Sequence, residues 1–280
     1  MLGIQNKIKE IKFRNPFPAI GKVFKYEMIS ISRMILPIYA VLLALSLVIG
    51  LFVINEELDF ESAGSWGWIK LALIMLAVIL FSIMIVILLS IISRRFKKSM
   101  LGDEAYLNLT LPVSIGEHLC GRYLADFVWG LSYALIAVLS VLFVLVRVWN
   151  KLPEAFSELL ESSAKFKLEH GVGFGYIFCQ SFIHLLLFYM LVCVAIYAIQ
   201  SILHLIGKHR TLVSVLSFAC IFTVYHNIGQ FIFKGLFSDG DFVNTAFRTV
   251  LLLLDIYDLI WIFILLITTK LILTFKLNLE

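Results

Sequence analysis

The stretch RRFKKSMLGDEAYLNLTLPVSIGEHLCGR, residues 94–122, decides how the rest of the chain is arranged. Residues 69–92 before it and 127–146 after it carry almost no charge, and each run can cross a hydrocarbon core, which takes roughly 20 apolar helical residues. The stretch is therefore predicted to lie at one membrane surface. Short loops rich in Lys and Arg are retained in the cytoplasm, so this surface is predicted to be the cytoplasmic one. The basic residues at its start are Arg94, Arg95, Lys97 and Lys98.

The order of residues in this stretch predicts two helices separated by a proline. Asp103 is suited to cap a short helix through about Thr110, since its carboxylate can accept from the free amides of the first turn, and Pro112 ends that helix. Ser114 and Glu117 have the spacing of a capping box, which begins a helix that continues into the membrane. A short helix is thus expected across the ends of two spans. The side chains left available to a soluble partner are those of Tyr106, Leu107 and Leu111.

The composition excludes an ordinary soluble domain. Of the 280 residues, 61% are hydrophobic and 15% are charged, and the mean hydropathy is +0.98. The apolar share of soluble domains is nearer half. The apolar runs predict an all-α, polytopic membrane protein with six transmembrane helices. Most Lys and Arg residues fall on one side of these spans, which predicts a multi-pass protein of the plasma membrane with both termini cytoplasmic.

Residues 1–33 form a separate amphipathic region in this interpretation. Asn15-Pro16-Phe17-Pro18 divides it, and the part after Pro18 is predicted to be a helix in the cytoplasmic membrane interface, although Glu27 falls on its apolar side. A positively charged anchor at the membrane surface is one role open to this region. Residues 34–280 form the six-span domain, which includes the segment 94–118. Its first span is predicted from about Met34 to Ile54, with Pro37 in the opening turn.

Polar side chains within the spans must find partners, because hydrocarbon offers none. Asp126 in the third span is predicted to pair with Arg122 one turn earlier, either as a structural ion pair or in transport. Tyr176, Gln180 and His184 stand four residues apart on the fourth span and share one face.

The fifth span carries the clearest polar pattern in the membrane. Its four polar residues recur at i, i+3, i+4 and i+7, which predicts one stripe that faces the bundle interior or a cavity. Asp255 and Asp258 are expected at the outer end of the last span, where they could contact the polar side chains of this stripe. The stripe and the face of the fourth span are candidates for lining a path, and a structural hydrogen-bond network is the alternative. The stripe residues are Thr223, His226, Asn227 and Gln230.

The sequence lacks a phosphate-binding loop. Its Gly-Lys pairs are Gly21-Lys22 and Gly207-Lys208, and neither has a second glycine five positions earlier or Ser/Thr after the lysine. The three histidines of the spans show no H-E-x-x-H motif, and the four cysteines show no C-x-x-C spacing. We therefore expect no ATP hydrolysis by this chain alone, and assign it no catalytic residue, no metal site and no bound cofactor.

The run from Asp103 to Ser114, DEAYLNLTLPVS, resembles a signature of ABC exporter permeases of the type-2 exporter class, common in Gram-positive bacteria. The family has Gly where this chain has Ala105, a small change on a presumed helix. The final residues, Lys276 to Glu280, also resemble the usual ending of these permeases. The motifs cover a small part of the chain, and the six predicted spans extend the likeness to nearly all of it.

The resemblance implies a mechanism and a set of partners. Two permease copies, or one copy and a homologous permease, would enclose a path in the lipid membrane, and two separate ATP-binding cassette subunits would bind ATP and Mg. No nucleic acid is expected among the partners. The segment between the second and third spans would act as the coupling helix that receives force from the ATPases. The residues implied in that contact are Asp103, Glu104, Tyr106, Leu107 and Leu111.

The cargo implied is amphiphilic, such as an antimicrobial peptide, a hydrophobic drug or a lipid-linked molecule, which predicts a part in antimicrobial peptide resistance. The resemblance also predicts short external re-entrant helices between Lys234 and Asp255. A secondary transporter is an alternative and would need paired ionisable residues near the bilayer midplane. A membrane-embedded enzyme is a second alternative and would need converging His and carboxylate groups. A cytoplasmic loop without a coupling role is the alternative for the segment 94–118.

Overall fold

The computed structural model describes residues 15–52, 64–102, 104–110, 113–146, 149, 152–170, 173–206, 210–236 and 247–275. In these ranges the chain forms eight α-helices and no strand. A π-helical turn, Lys97–Leu101, follows the second helix directly. The α-helices are α1 Phe17–Phe52, α2 Gly64–Phe96, α3 Ala105–Thr110, α4 Ile115–Val144, α5 Leu152–His170, α6 Phe174–Ile206, α7 Arg210–Leu236 and α8 Phe247–Phe275.

Six of these helices, namely α1, α2, α4, α6, α7 and α8, are long and apolar enough to cross a membrane. The predicted all-α, six-span architecture is therefore confirmed. The short helix α3 lies between the second and third of these spans, as the proline and the capping box predict. The 19-residue helix α5 lies between the third and fourth of these spans.

Helix α1 continues without a break past residue 33, where the sequence predicted a boundary between an interfacial helix and the first span. It begins at Phe17, whose amide hydrogen bonds to the Asn15 side chain at 3.3 Å. The first amides of a helix have no intrahelical acceptor, so Pro18 costs no hydrogen bond there. Pro37, expected in the opening turn of a shorter span, instead lies inside this 36-residue helix.

Helix α8 also begins earlier than expected. It is continuous from Phe247, so residues 247–255, where the family resemblance places re-entrant helices, belong to the last spanning helix. Asp255 and Asp258 consequently lie two to three turns inside a helix and not at the end of a span. Residues 237–246 lie outside the described part of the chain.

Helices α1 and α4 run side by side in the same direction and are held at close approach by glycines. A Cβ on Gly121 would meet the carbonyl oxygen of Ile20 and the side chain of Val23, each at 2.9 Å. Near the other ends of the two helices, a Cβ on Gly50 would overlap the carbonyl oxygen of Phe143. Small residues allow backbones in a membrane to approach and gain dispersion contacts where no hydrophobic force draws them together.

Helix α6 is the centre of the bundle. In its most apolar part 44% of the residues are buried, against 6% in α7, which lies at the edge. Tyr197 of α6 stacks on Phe96 of α2 with ring centroids 4.3 Å apart, and Gln200 donates to the Ser93 hydroxyl at 2.8 Å. The core around α6 therefore fixes α2 just before the chain enters the π-helical turn and α3.

Candidate functional site

The π-helical turn and α3 are attached to each other and to α4 by polar contacts. Asn108 donates from its side chain to the carbonyl oxygen of Ser99 at 2.8 Å, and Nε2 of His118 lies 3.1 Å from the carbonyl oxygen of Asn108. The Ser99 hydroxyl accepts from the Arg122 guanidinium. Helix α3 is thereby fixed on one side to the end of α2 and on the other to the first turns of α4.

The outer face of α3 is open. Ala105 is fully buried, whereas the side chains of Tyr106 and Leu107 are each 66% exposed. A small residue is needed at position 105 because the helix lies against the π-helical turn there. These two large side chains on the opposite face are therefore mostly uncovered by the part of the chain that the structure describes. Asp103 and Leu111, the other predicted apolar and acidic contacts, lie outside the described residues.

Glu104 pairs with Lys98 across the turn, with 2.9 Å between Nζ and the carboxylate. The hydrogen bond from Lys98 is the main reason that the pKa of Glu104 lies below its ordinary value. A lowered carboxylate pKa contributes stability above the ordinary glutamate pKa, and this contribution is lost as the pH falls through the lowered value.

Lys98→Gln is therefore expected to raise the pKa of Glu104 and to lower the free energy of unfolding at neutral pH by less than about 1 kcal/mol, since the pair is partly exposed. The difference from the parent protein should disappear in acid. Chemical denaturation at a series of pH values measures both effects. The exposed neighbour Lys97, changed to Gln, is the matched control, and an equal loss in both variants would contradict a specific pair.

The capping box at the start of α4 is confirmed. The Glu117 amide donates to the Ser114 hydroxyl at 3.2 Å, and the Ser114 amide donates to the Glu117 carboxylate at 2.7 Å. Both contacts satisfy amides that have no acceptor within the helix. The direction in which α4 leaves the segment 94–118 is thus fixed by local chemistry.

A buried ion-pair cluster joins three spanning helices next to this segment. The carboxylate of Glu27 on α1 lies 3.3 Å from the guanidinium of Arg95 on α2 and 3.1 Å from that of Arg122 on α4. The predicted pairing of Arg122 with Asp126 was wrong, because Glu27 reaches Arg122 from the neighbouring helix. Asp126 instead accepts from the Tyr197 hydroxyl of α6. Glu27 lies on the apolar side of α1 because that side faces other helices here.

A second polar cluster lies between α6, α7 and α8, and we call it the acid–histidine cluster. Nδ1 of His184 is 3.3 Å from Asp255 and 3.2 Å from Asp258. Gln180 donates to the other oxygen of Asp255, and the Tyr225 hydroxyl donates to the other oxygen of Asp258 at 2.6 Å. The structure thus brings Gln180 and His184 together, as their shared face predicts, and Tyr176 lies one turn before Gln180, half-buried.

The polar stripe of α7 does not face the interior. All four of its residues are exposed, and they bond along their own helix, with Gln230 2.9 Å from His226 and Asn227 donating to the carbonyl of Thr223 at 2.8 Å. The predicted inward orientation was therefore wrong for the single chain. Tyr225 and Gly229 form the face of α7 that meets α8, where the Tyr257 ring lies 3.5 Å from a Cβ built on Gly229. The predicted contact between the stripe and Asp255 or Asp258 was also wrong. Asp255 contacts Gln180 and His184 of α6, and Asp258 contacts His184 and Tyr225.

Sequence reasoning missed the acid–histidine cluster as a unit, although one signal could have found it. Asp255 and Asp258 are three residues apart, which places them on one face of a helix. A pair of acids on one face of an apolar helix requires partners within the bundle. The prediction placed both acids at the end of a span, where water can solvate them, and so did not look for partners within the bundle.

An open cavity lies beside the segment 94–118, where α2, α6 and α7 end or begin. Its lining combines basic side chains with amide and hydroxyl groups, which suits an anionic group. The polar lining residues are Arg94, Lys97, Lys98, Gln200, His204 and Ser214.

Comparisons with protein-family models, curated proteins and solved structures gave no match to this chain. A functional assignment therefore rests on the residues and contacts described above.

Proposed function

We propose that the chain is the transmembrane permease subunit of an ATP-driven ABC exporter. Two copies, or one copy with a homologous permease, would enclose the path, and two separate ATP-binding subunits would bind below them with their own ATP and Mg. The observation that carries the proposal is α3, which exposes Tyr106 and Leu107 while its other face is fixed between two spanning helices. The DEAYLNLTLPVS resemblance supports the same role for this segment.

The contacts around α3 connect its exposed face to three spans. Displacement of α3 acts on α2 through Asn108 and the Ser99 carbonyl, and on α4 through His118. From α4, the Arg122–Glu27 pair reaches α1. Buried packing transmits displacement because cores are close-packed and of low compressibility. A soluble subunit that pushes on Tyr106 and Leu107 can therefore move three membrane helices together.

The orientation in the proposal follows the basic residues. Arg94, Arg95, Lys97 and Lys98 lie at the end of the bundle that carries α3, and this end would be cytoplasmic together with both termini. The membrane would be the plasma membrane. The exposed polar stripe of α7 would face the path or a second permease, because a polar face is costly against lipid.

The cargo in the proposal is an amphiphile, such as an antimicrobial peptide, a drug or a lipid-like molecule. An apolar bundle with separate polar groups suits such a molecule, since it can bury apolar surface and satisfy a few hydrogen bonds. Resistance profiling of a deletion strain tests this choice. Unchanged sensitivity to compounds of all three classes would contradict it.

A secondary transporter is the second candidate, and the acid–histidine cluster favours it. Trp261 is the middle residue of α8, and Asp258 lies one turn before it, so a pair of ionisable residues does occur well inside a span. Such sites are typical of transporters coupled to ions. Transport by the purified chain that continues without ATP and its ATPase would favour this candidate over the first.

The decisive test of the exporter proposal is assembly with an ATPase. We expect the parent chain to copurify with an ATP-binding cassette subunit, and we expect Leu107→Asp and Glu104→Arg to abolish this copurification or to lower the cargo-stimulated ATP hydrolysis at least tenfold. A charge at position 107 removes apolar contact, and the change at 104 reverses a charge; neither disturbs the core because both side chains are substantially exposed.

Leu168→Asp is the matched control. Leu168 is 88% exposed on α5 and lies outside the segment 94–118, so the same substitution there should leave assembly and hydrolysis unchanged. If Leu107→Asp and Glu104→Arg assemble and hydrolyse ATP like the parent protein, α3 is not the coupling contact.

A further inference from the structure

The acid–histidine cluster lies within helices that can cross a membrane. His184 is in the third turn of α6, and Asp255 and Asp258 are in the third and fourth turns of α8. Both α6 and α8 have the length and hydropathy of spanning helices. Groups that carry charge at these depths are costly and in known membrane proteins mark sites of function.

The two carboxylates are almost completely removed from solvent. Asp258 is 0% exposed and Asp255 is 7% exposed. One oxygen of each already accepts a hydrogen bond, from Tyr225 and from Gln180 respectively. The remaining oxygens, Oδ1 of Asp255 and Oδ2 of Asp258, accept no aligned hydrogen bond, and neither does Nδ1 of His184 make one.

These three unpaired atoms face one another. Nδ1 of His184 is within 3.3 Å of both free oxygens, so three buried polar atoms converge on one small volume. A buried polar atom without an aligned hydrogen bond is costly, and three such atoms at one point indicate that the site is completed by something shared among them.

The charges of the cluster identify what is missing. Two ionised carboxylates beside one imidazolium leave a net charge of −1 in an apolar region, and beside a neutral imidazole they leave −2. No Lys or Arg side chain that the structure describes forms an ion pair with either acid. Two adjacent carboxylates at low dielectric do not both stay ionised without compensation. One positive charge beyond the imidazolium makes the cluster neutral.

A proton is the ligand that fits this space. The surrounding groups leave the acids 0% and 7% exposed, and no three His, Cys, Asp or Glu side chains in the described part of the chain have the arrangement that holds a metal ion. A proton needs no additional room, because it lies within the O–N or O–O separation of a hydrogen bond. The His184 side chain is 31% exposed, so the cluster reaches the surface of the chain on that side.

We propose that Asp255, Asp258 and His184 form a proton-binding site within the membrane-spanning part of the chain. The other polar groups that face it are Gln180 of α6, Tyr225 of α7 and Tyr257 of α8, whose hydroxyl donates to the Tyr225 carbonyl. The bound proton joins α8 to α6 directly and to α7 through Tyr225. Its release leaves two carboxylates in mutual repulsion and loosens α8 from α6. The site would hold its proton in the same way in an exporter subunit and in a secondary transporter.

The full-length chain in lipid vesicles tests the proposal by infrared difference spectroscopy and thermal unfolding between about pH 5 and about pH 9, the range over which perturbed carboxyl and imidazole groups titrate. We expect a protonated carboxylic acid signal that is lost as the pH rises, together with a fall in the unfolding midpoint. Asp258→Asn should remove the signal and flatten the pH dependence of the midpoint.

Control variants make each outcome decisive. Asp126→Asn removes another buried carboxyl group, on α4, together with any carboxylic acid signal of its own, and should leave in place the part of the signal and of the pH dependence that is lost in Asp258→Asn. Tyr225→Phe retains both acids but removes a donor to Asp258, and should shift the pH at which the signal is lost. If Asp258→Asn does not fold, Asp255→Asn and His184→Gln report on the same signal.

Two results would overturn the proposal. The first is a parent protein without a carboxylic acid signal that depends on Asp255 or Asp258 anywhere in this range. The second is an unfolding midpoint that rises with added Na⁺ or Zn²⁺ at fixed pH and falls with dilution or a chelator, because the cluster then binds a metal ion and not a proton.

Discussion

Arg122→Ala is expected to lower the free energy of unfolding by about 3–5 kcal/mol, because it leaves Glu27 buried with one partner fewer. The Glu27 side chain is 8% exposed and that of Arg122 is 5% exposed, so water replaces little of the lost interaction. The same substitution removes the donor to Ser99, which holds the π-helical turn against α4. Equilibrium unfolding in detergent or lipid micelles, followed by tryptophan fluorescence, measures the loss.

Two comparisons separate the buried pair from a general effect of charge. Arg94→Ala removes an exposed arginine of the same segment and should change the free energy of unfolding by less than about 0.5 kcal/mol. The triple variant Glu27→Gln, Arg95→Met and Arg122→Met should recover part of the loss, since no charge of the cluster is then buried alone. A loss below about 1 kcal/mol for Arg122→Ala would contradict the assigned ion-pair cluster.

Gly50→Ala is expected to destabilise the chain by about 1–3 kcal/mol, and Gly50→Leu by more, because any Cβ at this position overlaps the carbonyl oxygen of Phe143. The obstacle is backbone, which cannot rotate away as a side chain can. The two helices must therefore separate and lose contacts along their length. Thermal unfolding of the purified protein provides the measurement.

Gly21→Ala is the matched control in the same helix. Apart from adjacent residues and the backbone of its own helix, no heavy atom of the described residues lies within 4 Å of a Cβ built there, and the position is exposed. Alanine in a helix is favoured over glycine by about 0.8–1.0 kcal/mol, so this variant should be slightly more stable than the parent protein. Equal effects at positions 21 and 50 would show that α1 and α4 do not approach closely at Gly50.

The sequence predicted those features that depend on neighbouring residues or on overall apolarity. The six spans follow from long apolar runs, and the start of α4 follows from Ser114 and Glu117, which are three residues apart. The short helix after Gly102 follows from the same local reasoning. Each of these features is determined by one continuous stretch of the chain, so that no knowledge of packing is needed.

The partners of buried polar groups could not be predicted in this way. Glu27 meets Arg95, which is 68 residues away, and Gln180 meets Asp255, which is 75 residues away. Helical spacing showed correctly that the stripe of α7 lies on one face, but not which face packs on α8. The face of α7 that packs on α8 is the one on which Tyr225 and Gly229 contact Tyr257. Helical periodicity shows which residues share a face, but not how well that face packs against another helix.

The number of residues in the π-helical turn Lys97–Leu101 determines the direction in which α3 points. A π-helical turn winds more widely than an α-helix, so the direction in which the backbone leaves it depends on how many residues it holds. Adding or deleting one residue turns everything that follows by about 100°, one residue's share of an α-helical turn. Tyr106 and Leu107 would then point elsewhere even with every side chain kept. This short connection therefore accepts changes of residue type more readily than insertions or deletions.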